Sequence, residues 1–167
     1  MNKSEVIYQQ LSDIIKIWSL TFENNNIGLI GMLQFGSTIK KPIKKNTDLD
    51  ILLIFKDLPP NNFDQFKLTT KIENELNSEL KKIKDHNIRC SFILKKADQL
   101  DHLSPFFLDF IDTSKIWYDP QNYLSNLIID IQNWIKKYNS KKIQKGNLWY
   151  WVYSQDHTTP VDFKFDK

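Results

Sequence analysis

Two short apolar runs, Ile27 to Phe35 and Ile51 to Phe55, enclose a polar, lysine-rich stretch that opens with Gly36-Ser37 and closes with Asp48-Leu49-Asp50. Runs of that length with β-branched and aromatic content predict buried strands. The chain is thereby committed to a sheet with a loop at one end. Residues two apart on a strand point the same way, so Asp48 and Asp50, opening the second strand, share a face. Two carboxylates so close repel each other, and a hard cation carried in with phosphates would relieve that repulsion. Gly36 lets a phosphate approach the backbone, and the Ser37 hydroxyl and nearby amides can donate to it, above all where a helix starts.

Helical periodicity supplies the rest of the architecture. Ile7, Leu11, Ile14, Ile15, Trp18 and Phe22 recur at helical spacing behind a Ser4 N-cap, and Glu23 to Asn26 break the pattern. Pro59-Pro60 stop the second strand, and Phe66, Ile72, Leu76, Leu80 and Ile83 mark a helix over about 63–84 with a charged outer face. Ile88 to Leu94 is a third strand, Leu103 to Phe110 a helix, and Tyr123 to Tyr138 a helix with Leu124, Leu127, Ile128, Ile131, Trp134 and Ile135 on one side. The tail is aromatic, with Trp149, Tyr150, Trp151 and Tyr153. The expected fold class is α/β (α+β): a mixed sheet flanked by helices, with C-terminal helices and an aromatic tail.

A length of 167 residues with 41% hydrophobic content fits one domain, with a core over about 27–95 and an extension over about 100–167. A net charge of +3 permits a nucleic-acid partner without demanding one. The single cysteine, Cys90, sits in an apolar run and is expected to pack rather than react. No segment has the length of a membrane span and the first ten residues are polar, so the expectation is a cytoplasmic protein that makes no membrane contact.

Gly36-Ser37, a spacer, and Asp48-Leu49-Asp50 opening a strand resemble the nucleotidyltransferase fold of the DNA polymerase β superfamily. The short length is similar to the minimal nucleotidyltransferases of bacteria and archaea, often encoded beside a helical HEPN partner in toxin–antitoxin pairs. The resemblance covers mainly residues 27–95; Ser104 to Asp109 and Trp117-Tyr118-Asp119 look like the C-terminal part of some members. It implies that Asp48 and Asp50 are catalytic residues and ligands of Mg²⁺, and that Gly36 and Ser37 bind the phosphates of a nucleoside triphosphate, ATP first. The acceptor hydroxyl, on protein or RNA, would attack the α-phosphorus. Active members add a third carboxylate from a neighbouring strand, and Ile88 to Leu94 contains none. Asp85, Asp98, Asp101 and Asp109 could substitute only if the fold brings one beside the pair. The alternative is a catalytically weak relative that acts as a binding partner, such as an antitoxin masking a helical toxin.

The remaining polar residues have plainer expectations. Lys40, Lys41, Lys44 and Lys45 could steer triphosphate or RNA but are expected to be solvated. His86, His102 and His157 lack zinc-site spacing. The C-terminal aromatics are expected to pack, with an interface as the sharper option, and Asp109 and Asp112 to lie on a solvated helix face.

Overall fold

The computed structural model describes residues 28–40, 44, 46–83, 87–100, 102–146, 148–154 and 160–165, with Val6, Gln9 to Leu11, Asp13, Ile14, Ile17 and Leu20 from the N-terminal segment. The expected apolar runs are strands: β1 (Leu29–Phe35), β2 (Asn46–Phe55) and β3 (Asn87–Lys96). A fourth, β4 (Ser114–Tyr118), completes a sheet in the order β3-β2-β1-β4. β1 runs antiparallel to both β2 and β4, whereas β2 and β3 are parallel. That pairing requires a crossover, supplied by helix α1 (Asn62–Leu80).

Each face of the sheet has its own core. On one, Leu49, Ile51, Leu53 and Phe55 of β2 and Ile88 and Cys90 of β3 pack with Ile72, Leu76 and Leu80 of α1 and with Leu11 of the N-terminal segment. All the described residues from Val6 to Leu20 are helical, as expected; Ser4, Ile7, Ile15, Trp18 and Phe22 lie outside the described residues. On the other face, Leu33, Leu52 and Ile54 meet Leu124, Leu127, Ile131 and Trp134 of α4 (Tyr123–Lys137). Burying each of these side chains contributes about 1.5–3 kcal/mol. The mixed sheet flanked by helices is therefore the fold class that periodicity predicts.

Three expectations are corrected. Phe66 is 68% exposed: at 100° per residue it stands about 240° around the helix from Ile72, and the buried stripe continues back through Leu68 instead. The helix expected from Leu103 to Phe110 is two single turns, α2 (Pro105–Leu108) and α3 (Phe110–Thr113), meeting at Asp109. The tail forms a hairpin, β5 (Lys141–Lys145) and β6 (Leu148–Val152), in which Trp151 and Tyr153 pack against the second core while Trp149 and Tyr150 remain about half exposed. Among the described residues no helix is long and apolar enough to cross a membrane.

Candidate active site

β1 ends at Phe35, whose Cα partner on β2 is Asp50. Gly36 follows with φ 88°, a left-handed conformation that L side chains rarely adopt. A Cβ at this position would lie 2.9 Å from Asp50 Oδ2, so the glycine is what lets the carboxylate sit against the turn. Ser37–Ile39 then form one 3₁₀ turn rather than a longer helix. The Gly36 amide donates to the Thr113 carbonyl at 3.0 Å and is thereby consumed. The Ile39 amide donates to the Gly36 carbonyl at 3.3 Å, so the expected phosphate donors reduce to the exposed Ser37 hydroxyl and amide.

The turn is held from below by a polar contact inside the first core. Gln34 is only 1% exposed; its Nε2 donates to Thr38 Oγ1 at 3.0 Å and its Oε1 accepts from Trp117 Nε1 at 3.2 Å. A buried amide with both ends satisfied fixes side chains more firmly than apolar contact does. Gln34, Thr38 and Trp117 are positioning residues that the sequence reading missed, and the signal was a lone glutamine within an apolar run. On the far side of the loop, the Lys44 amide donates to Thr47 Oγ1, which in turn donates to the Lys44 carbonyl, both at 3.0 Å, so the chain is pinned one residue before Asp48.

Asp48 and Asp50 lie in β2 on the face of Leu52 and Ile54, ahead of the strand's continuously buried stretch. Asp48 is exposed and Asp50 half-buried. Burial, and secondly the charge of Asp48, raises the Asp50 pKa above its ordinary value. The same negative field reaches through the sheet: the Cys90 thiol is pushed far up by burial first, then by Glu73, Asp48 and Asp50. Cys90 is a packing residue, as expected, with its amide on Asn77 Oδ1. Two hard oxygen donors that mutually repel fit a divalent cation whose remaining ligands are phosphate and water.

β3 settles what stands beside the pair. Asp48 is in register with Arg89, and Asp50 with Ser91. Both are exposed, alternating with buried Ile88 and Cys90, so they share the aspartates' face. Of the carboxylates considered as substitutes, Asp98 pairs with Lys96 at 3.3 Å, and Asp109 accepts from Lys142 Nζ at 2.7 Å and Trp151 Nε1 at 3.1 Å. Asp109 is thus tied to the hairpin and not on a solvated face; Asp112 is exposed. Asp85 and Asp101 lie outside the described residues, as do Lys41, Lys45, His86 and His157. Lys40 and Lys44 are exposed, as solvation predicts, and His102 pairs its backbone with Lys164. Among the described residues no group of three His, Cys, Asp or Glu is arranged to hold a metal.

One wall beside the turn is aromatic. Phe35 meets Phe106 edge to face at 4.9 Å and Phe110 at 5.6 Å, and Phe106 remains 37% exposed.

No family model matches the chain. It is 28% identical over 123 residues to a putative protein adenylyltransferase of Methanocaldococcus jannaschii, covering 72% of this chain and 80% of that protein. In structure it is similar to a toxin–antitoxin crystallised with AMP-PNP, at TM-score 0.46 and 18% identity over 74% of this chain and 87% of that one. It is also similar to a chain of the complex between tri-AMPylated Shewanella oneidensis HEPN toxin and its MNT antitoxin, at TM-score 0.40 and 16% identity over 78% and 87%. The match to the adenylyltransferase spans most of both chains, so the likeness is not confined to one short motif.

Proposed function

We propose that the protein is a nucleotidyltransferase that moves the nucleoside monophosphate of a Mg²⁺-bound nucleoside triphosphate, ATP first, onto a hydroxyl of a protein or RNA acceptor. The observation that carries this reading is the packing of Asp50 against a turn with no Cβ at Gly36, with Asp48 beside it on the same strand face. The adenylyltransferase relative favours AMP as the group moved and protein as the acceptor.

In this reading Asp48 and Asp50 hold the cation, and Ser37 donates to the phosphates beside Gly36. Bound there, Mg²⁺ would withdraw charge from the α-phosphate and its leaving group. Gly36 keeps the Asp50 carboxylate against the turn, so phosphate and carboxylate ligands converge without rearrangement. The half-exposed Phe106 offers the base an apolar surface. The acceptor hydroxyl gives up its proton to solvent, and its oxygen forms a bond to the α-phosphorus as the bond to pyrophosphate breaks.

A second reading has its own observation. Arg89 and Ser91 occupy the β3 positions beside the aspartates, where a third carboxylate would otherwise help activate the acceptor. A protein so built could bind nucleotide and act chiefly as the masking partner of a helical HEPN-like toxin. Incubation with ATP labelled at the α-phosphate, Mg²⁺ and lysate protein or total RNA separates the two. Label on an acceptor with wild type and none with Asp48→Ala, Asp50→Ala supports transfer. Nucleotide binding without any label transfer supports the masking partner.

A further inference from the structure

We propose that Arg89 binds the triphosphate and takes over, as a fixed cation, part of the charge that a second metal ion would otherwise neutralise. The inference rests on the nucleotide reading of Gly36, Ser37, Asp48 and Asp50. The site is a row across three strands. The Gly36-Ser37 turn lies off β1, the aspartates stand on β2, and Arg89 and Ser91 stand on β3 in register with them. Neighbouring strands are about 4.8 Å apart, so the turn and Arg89 flank the carboxylates on opposite sides, about 10 Å from each other. A triphosphate anchored at the turn and crossing the aspartates runs towards the guanidinium.

Charge decides what this row can hold. Three carboxylates would need two divalent cations to accept a triphosphate, whereas two carboxylates and a guanidinium carry a single net negative charge. One divalent cation reverses that sign and makes the site attractive to a polyanion. Arginine suits the position because its planar fork donates two parallel hydrogen bonds to phosphate oxygens and stays charged at any working pH. Arg89 is exposed and Ser91 beside it is small, so the guanidinium has room to reach over the strand.

The consequences are read without turnover. In EDTA, where only side chains act on the nucleotide, Arg89→Ala should weaken ATP binding by about tenfold and Arg89→Lys by less, since lysine keeps the charge without the fork. The loss should be smaller for AMP than for ATP. Under the same conditions Asp48→Asn, Asp50→Asn should bind ATP more tightly than wild type, because the repulsion is gone. With a non-hydrolysable ATP analogue, paramagnetic titration should count one Mn²⁺ per wild-type chain, and Ser91→Asp should raise the count towards two. Circular dichroism of each variant guards against misfolding. Unchanged ATP affinity in Arg89→Ala, or two Mn²⁺ in the wild type, would overturn the inference while leaving nucleotide binding intact. A wild type that binds no nucleotide even with Mg²⁺ overturns the site reading and this inference together.

Discussion

At Gly36 two requirements coincide: a backbone at φ 88° and space for a carboxylate oxygen 2.9 Å from where a Cβ would be. Gly36→Ala should therefore lose about 1–3 kcal/mol in urea denaturation from backbone strain and should also displace Asp50 and lose Mg²⁺-nucleotide binding. Gly146 is the control, since it too has positive φ, at 63°, but nothing lies within 4 Å of its added Cβ. Gly146→Ala should cost stability and leave nucleotide binding alone; equal binding by both variants would contradict the role given to Gly36.

Asp50 supplies a test by pH. Its folded pKa is raised by burial and then by Asp48, so the folded chain holds this proton more tightly than the unfolded chain does. Stability from this group is fully present below the ordinary carboxylate value of 3.8 and is lost as pH rises through the folded pKa. Without metal, Asp50→Asn should melt higher than wild type at pH 7, and the gap should close on acidification towards 3.8. A gap that is absent at pH 7 or widens in acid would show that Asp50 ionises without penalty.

At the scale of elements, the strand ends and helix ends set the geometry. Helix α4 covers the second core and starts under Asp119, whose Oδ1 accepts from the Leu124 amide at 3.0 Å and Oδ2 from the Ser125 amide at 2.9 Å. The Trp117-Tyr118-Asp119 segment thus ends a strand and caps a helix, a structural role within the extension. Asp119→Ala should lower stability by about 1–2 kcal/mol, measured by thermal or urea unfolding, with nucleotide affinity unchanged. No loss of stability would mean that the two amides find other acceptors at no cost.

Elements that carry a single, uninterrupted period were legible in the sequence. β1, β2 and β3 stand out as apolar runs, and α4 as a stripe from Leu124 to Trp134. β4 and the β5–β6 hairpin were not, because Ser114 to Tyr118 and Lys141 to Val152 mix lysine, aromatic and apolar residues without clean alternation. Their strand state comes from partners: β4 borrows the free edge of β1, and Trp151 reaches the Asp109 carboxylate. Asp109 keeps a right-handed helical backbone, φ −74° and ψ −16°, between the two short turns while its side chain holds the hairpin.

Across the whole molecule, the sheet separates two cores and leaves Asp48, Arg89 and Ser91 exposed on one face. The local signal, Gly36-Ser37 and Asp48-Leu49-Asp50, was readable because its parts lie close along the chain. What Arg89 and Ser91 do beside them depends on parallel register, and what Gln34 and Thr113 do depends on packing, so neither was readable from spacing. We propose that the two aspartates and the glycine turn together hold a metal-bound triphosphate. Crystals grown with Mn²⁺ and a non-hydrolysable ATP analogue test it most directly through the anomalous signal of the metal. A Mn²⁺ peak is expected in contact with both the Asp48 and Asp50 carboxylates, with phosphate oxygens beside Ser37. A nucleotide bound elsewhere, or a metal that touches neither aspartate, would contradict it.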